Sequence, residues 1–110
     1  MDIFDVNDLI AQRDEREHTY AEFFRGDLLS LGLAIWPAGQ PDLQKPHAED
    51  EVYYVVAGRG RIRVGDDDRP VRAGSIIFVA SGVEHRFHDI EETLRVVVFW
   101  APPHHSRDQS

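Results

Sequence analysis

The sequence predicts an all-β chain, an antiparallel sandwich or barrel preceded by one short helix. Three observations carry that expectation. About eight short segments rich in apolar, aromatic and β-branched residues recur at regular spacing, most of them separated by Gly- or Asp-bearing turns. No helical pattern intervenes between them, so the alternation that builds a parallel sheet is absent. The chain has 110 residues, 42% of them hydrophobic, which suits one core and not two.

Taken in order, the first element is a short helix through "DLIAQRDERE", capped by Asp5 or Asn7 and packed through Leu9 and Ile10. Strand signals follow. "TYAEFF" and "LLSLGLAIW" flank Arg25-Gly26-Asp27, which reads as a hairpin turn and not as an adhesion tripeptide. "WPAGQPDLQKP" is the one long irregular connection, because Pro37, Gly39, Pro41 and Pro46 exclude regular structure. Then come "EVYYVVA", "GRIRV", "RPVRA", "SIIFVA", "EHRFHD" and "TLRVVVFW", with Asp66-Asp67-Asp68 as a solvated turn. Residues 1–110 form a single domain with a barrel core at about 19–101. "APPHHSRDQS" contributes a flexible tail over 102–110, and His104 and His105 are expected to be disordered within it. His18 precedes the first strand with no motif around it, and Trp36 and Trp100 read as core residues. Two strands, Val52–Val56 and Val96–Trp100, are apolar on both faces. The second face must pack on the N-terminal segment or on another subunit, and a homodimer is the expectation.

Bulk properties exclude several function classes. A formal net charge of −8 makes nucleic acid and anionic membrane surfaces poor partners. With no cysteine there is no thiolate nucleophile, disulfide or cysteine-ligated zinc. No apolar run approaches the roughly 20 residues that span a bilayer. No signal peptide is evident either, so a cytoplasmic protein is expected.

The chemistry concentrates in "KPHAEDEVYYVVAG". Residues two apart on a strand share a face, so His47, Glu49, Glu51 and Tyr53 would point together if the strand reached back that far. In "ASGVEHRFHD" the same parity joins His85 with Phe87 and sends His88 the other way. Imidazole nitrogen and carboxylate oxygen are ligands suited to zinc, manganese, nickel or iron.

With these residues on the page, the sequence resembles the cupin family, as a small single-domain member. The family's first motif is Gly, five residues, His-x-His, three residues, Glu, six residues, Gly. Gly39, Lys45, His47, Glu51 and Gly58 fall at those positions. The second is Gly, five residues, Pro-x-Gly, two residues, His, three residues, Asn, matched in spacing by Gly74, Ala80, Gly82, His85 and Asp89. The resemblance implies a double-stranded β-helix (a jelly-roll barrel), a homodimer and a divalent ion: Fe, Mn, Ni or Zn. It carries over three ligands, His47, Glu51 and His85. Lys45 stands where the family has a fourth, and a protonated lysine has no lone pair to give. Glu49 could replace it by parity, or the loss could have abolished metal binding and left an empty cup. Gln44, Lys45, Tyr53 and Phe87 are expected to line a substrate pocket. The implied function is action on a small organic molecule, with dioxygenase chemistry leading and Glu51 both holding the ion and moving a proton. The alternatives are a metal-dependent isomerase or lyase without redox chemistry, and a non-catalytic binding or sensing module.

Overall fold

A computed structural model describes residues 1–106. Helix α1 (Val6–Ala11) is capped by the Asp5 carboxylate, which accepts the backbone N–H groups of Asn7 and Asp8. Six strands follow: β1 (Thr19–Arg25), β2 (Ser30–Trp36), β3 (Asp50–Val64), β4 (Asp67–Arg72), β5 (Ile76–Val79) and β6 (His85–Ala101). All pair antiparallel, in the order β1-β2-β6-β3-β4, with β5 beside the first half of β3. Between β1 and β2 the chain turns where Gly26 N–H donates to the Leu29 carbonyl, so Arg25-Gly26-Asp27 is a turn.

The sequence suggested about eight strands, and the difference is informative. "EVYYVVA" and "GRIRV" are one strand, as are "EHRFHD" and "TLRVVVFW". The glycine between the first two is not a turn but a bend. Gly58 has φ +101°, and a Cβ there would meet the Thr93 carbonyl oxygen of β6 at 2.1 Å. The β3–β6 register slips between Val55 and Arg61, and Asp89 takes φ 46°. The long ribbon therefore curls without breaking, and the curl makes the barrel.

Inward residues of the curled sheet form the core: Trp36, Tyr53, Val55, Ile62, Phe87, Leu94, Val96, Val98 and Trp100 are all buried. The outer face is only partly covered. Phe4 packs edge-on against Phe23 and Phe24, and Glu15 pairs with Arg95, beside the buried Leu33 and Ile35. Further along, Tyr54, Ile76, Phe78 and Phe99 stay exposed on neighbouring strands. Among the described residues no helix is long and apolar enough to cross a membrane.

Candidate metal centre

Glu51 stands at the start of β3 and His85 at the start of β6. In the sheet register they lie at opposite ends of the paired ribbon: Glu51 faces Trp100, while His85 faces Val64. A flat strand would separate Glu51 from Val64 by roughly 40 Å. Because the ribbon curls, His85 Nε2 comes to 2.7 Å from Glu51 Oε1, both side chains being 1% exposed. The contact is short, yet it lacks hydrogen-bond alignment, and both Glu51 oxygens remain buried without a hydrogen-bond donor. An unsatisfied buried carboxylate is costly unless a cation or proton sits on it.

His47 arrives from the irregular segment between β2 and β3. That loop is laced to the turn before β6: Gly82 N–H donates to the His47 carbonyl, Ser81 N–H to the Asp50 carboxylate, and Ser81 Oγ to the Ala48 carbonyl. His47, Glu51 and His85 each bring one ligand atom to within 4.8 Å of the others, so the three could hold a metal ion. The donor set fits one: two imidazoles and a carboxylate whose oxygens accept no hydrogen bond. Burial holds His47 below the usual histidine pKa, against the pull of Glu51. Burial works in the same direction on His85, but the Glu51 contact and the Val83 carbonyl outweigh it and raise that pKa. Tyr53 is raised well above the phenol range by burial and by the Glu51 charge, so it stays a donor.

Gln44 sits in the middle of the group. Its Oε1 accepts the Tyr53 hydroxyl at 3.1 Å and lies 3.3 Å from His47 Nε2 and 3.2 Å from His85 Nε2. Phe87 does not line the cavity as expected: it is fully buried in the core beside Trp36 and Tyr53. Lys45 is exposed and lies outside the group. The structure does not bring Glu49 in either: it is buried, but its Oε1 accepts the His105 backbone N–H at 3.0 Å. The parity argument fails there because β3 begins only at Asp50, and residues 41–49 are an irregular, proline-bearing loop with no alternation to obey.

His47, Gln44 and Tyr53 open onto a cavity of about 290 Å³, lined also by His18, Tyr20, Trp36, Trp100 and His104. Among the described residues, a larger groove of about 490 Å³ along β4 and β5 holds no grouping of metal ligands, so the smaller cavity is the candidate site. Several of these walls were not legible as such in the sequence. His18 stacks on Trp36 at 4.8 Å and its Nδ1 lies 2.8 Å from the Ile35 carbonyl. Trp100 Nε1–H donates to the Tyr20 hydroxyl at 2.9 Å. Within residues 102–106 the chain contacts the barrel. Pro103 is buried, His104 N–H donates to Ser30 Oγ, and the His104 ring stacks on Trp100 at 4.0 Å, 5.6 Å from the His47 ring. The rest of the expected tail, 107–110, lies outside the described residues. The sequence held no spacing signal for any of these contacts.

The Cupin domain family matches residues 32–102, well over half of the chain. The chain is a cupin. It is 46% identical over 103 residues to an uncharacterised protein of Streptomyces coelicolor, covering 94% of this cupin and 98% of that protein. A solved structure from Thermus thermophilus superposes with a TM-score of 0.77 at 25% identity, over 94% of this cupin and 99% of that chain. An oxalate-binding protein of Thermotoga maritima is 32% identical over 61 residues, 56% of this cupin and 50% of that protein.

Proposed function

We propose that this cupin binds a divalent metal ion through His47, Glu51 and His85 and uses it to take up a small, oxygen-bearing organic ligand. The observation that carries the reading is the convergence of three lone-pair donors, two of them fully buried, with His47 opening onto an aromatic-walled cavity. A bound ion would supply Lewis acidity, and a redox-active one such as iron would add dioxygen chemistry. Trp36, Trp100 and Tyr20 exclude water from the ligand and limit its size. Tyr53, kept protonated, holds the Gln44 carbonyl in place. In this reading Glu51 holds the ion and also accepts a proton from the ligand. The likeness to a relative named for oxalate binding supports a small chelating carboxylate as the ligand class. Dioxygenase action is the leading reading of the chemistry, with redox-neutral isomerase or lyase action second. The outer face of Tyr54, Ile76, Phe78 and Phe99 supports a homodimer.

The test is metal analysis of protein purified without chelators, beside His47→Ala and His85→Ala. Near-stoichiometric metal in the wild type and its loss in both variants is the expected result. A folded wild type that takes up no ion after loading would end the metal reading and leave an empty binding cup. Oxygen uptake with iron but not with zinc separates oxygenase from redox-neutral chemistry.

A further inference from the structure

We infer that Gln44 is the fourth protein ligand of the metal, an amide oxygen in place of the imidazole this cupin lacks at Lys45, and that Asp42 is the residue that aims it. The inference rests on the metal reading above and extends it to residues outside the family's motif.

Geometry is the first support. Gln44 Oε1 lies 3.3 Å from His47 Nε2 and 3.2 Å from His85 Nε2. Ligand atoms held about 2.1 Å from one ion are about 3.0 Å apart at a right angle and about 3.4 Å apart at the tetrahedral angle. The observed separations fall between those values, which is the spacing expected of neighbours in one coordination shell.

Donor chemistry is the second. His85 Nδ1 is 2.8 Å from the Val83 carbonyl, which can only accept, so the Nδ1 carries a proton, and Nε2 is the atom that presents a lone pair to an ion once its own proton has left. That atom faces the Gln44 oxygen at 3.2 Å and the Glu51 carboxylate at 2.7 Å. Three acceptors crowd one point inside the protein. A proton on Nε2 serves one of the two oxygens well, whereas a cation draws on all three atoms together.

Orientation is the third. The side-chain amide could face either way, and its surroundings decide. Gln44 Nε2 donates to Asp42 Oδ2 at 2.6 Å, and the Tyr53 hydroxyl donates to Oε1, so the oxygen must point at the histidines. Asp42 is buried and itself held by the backbone N–H groups of Gln44 and Phe87, at 3.0 and 2.9 Å. A carbonyl oxygen has two lone pairs; Tyr53 takes one and leaves the other for the ion. Asp42 thus fixes its ligand as a carboxylate behind a metal-bound histidine fixes the ring.

The test uses Co²⁺ and Mn²⁺ as probes on metal-stripped protein: affinity by chelator competition, and the visible spectrum of the Co²⁺ form. Gln44→Met keeps the length of the side chain and removes the oxygen. It should bind at least tenfold more weakly than wild type, with an altered Co²⁺ spectrum and an unchanged fold by circular dichroism. Asp42→Asn keeps Gln44 but removes its anionic anchor, and should weaken binding by roughly 10–100-fold. His85→Ala should abolish binding. Wild-type affinity and spectrum in Gln44→Met, with His85→Ala still unable to bind, would overturn the assignment and leave the three-ligand site standing. Should Gln44→Met not fold, wild-type affinity and spectrum in Asp42→Asn would overturn it instead. Failure of the wild type to bind either ion would overturn the metal reading itself.

Discussion

The candidate ligands come from two kinds of backbone. Glu51 and His85 stand on β3 and β6, the two longest strands, locked by a ladder that runs the length of both. His47 and Gln44 stand on an irregular loop whose shape depends on side-chain hydrogen bonds, chiefly those of Asp42 and Ser81. The strand pair is rigid because many backbone bonds share the load. The loop pair is placed by a few hydrogen bonds that involve the Asp42, Asp50 and Ser81 side chains. A site built this way combines a fixed floor with a tunable rim, and the two halves should respond differently to mutation.

The largest effect should come from the strand half. Phe87→Ala opens a hole beside Trp36 and Tyr53 and should cost about 3–5 kcal/mol, read from urea unfolding. Should the loss be under about 1 kcal/mol, the floor is not the rigid half. Next is the bend that brings the two strand ends together. Gly58→Ala forces a Cβ onto the Thr93 carbonyl at a positive φ, so strain of about 1–3 kcal/mol is expected, with metal affinity falling as the ribbon straightens. Retained affinity in that variant would show that the curl does not depend on Gly58.

The loop half should lose less stability and proportionately more function. Asp42→Ala strands the Phe87 N–H and the Gln44 amide and should cost about 1–3 kcal/mol. Hydrogen exchange should speed up in residues 40–48 while β3 and β6 stay protected; faster exchange in both would merge the two halves into one unit. The smallest effect is expected far from the site, at the Glu15–Arg95 pair that ties the N-terminal segment to β6. Both side chains are about a third exposed, so Glu15→Gln should cost no more than about 1 kcal/mol. The Arg95 hydrogen bond holds the Glu15 pKa below the usual 4.5, against a smaller opposing effect of burial. Its contribution is therefore present above about pH 4.5 and is lost as pH falls through the lowered value. Acid titration of stability in wild type and Glu15→Gln should diverge above that window and meet below it.

By itself the sequence determined the class of fold and pointed to three residues that the structure brings together as candidate ligands. Alternating apolar residues, glycine-bearing turns and the motif spacing from Gly39 to Asp89 are local features, and the class of barrel can be read from them, although the pairing of β6 with β2 and β3 joins distant parts of the chain. His47, Glu51 and His85 were legible for the same reason. Tertiary structure decided what local periodicity cannot encode. Whether Gly58 is a turn or a bend depends on β6 lying against it. Whether Glu49 or Gln44 faces the histidines depends on where a proline-bearing loop folds, and there no strand parity exists to predict it. Asp42 carries no sequence signal at all, because its role arises from burial and from the Phe87 N–H, 45 residues away along the chain. Residues 102–106 read as a loose end, yet His104 and His105 line the cavity, because Trp100 and Ser30 offer His104 a surface that exists only once the barrel has closed. Periodicity reports which way a strand faces. Only the closed barrel reports what it faces.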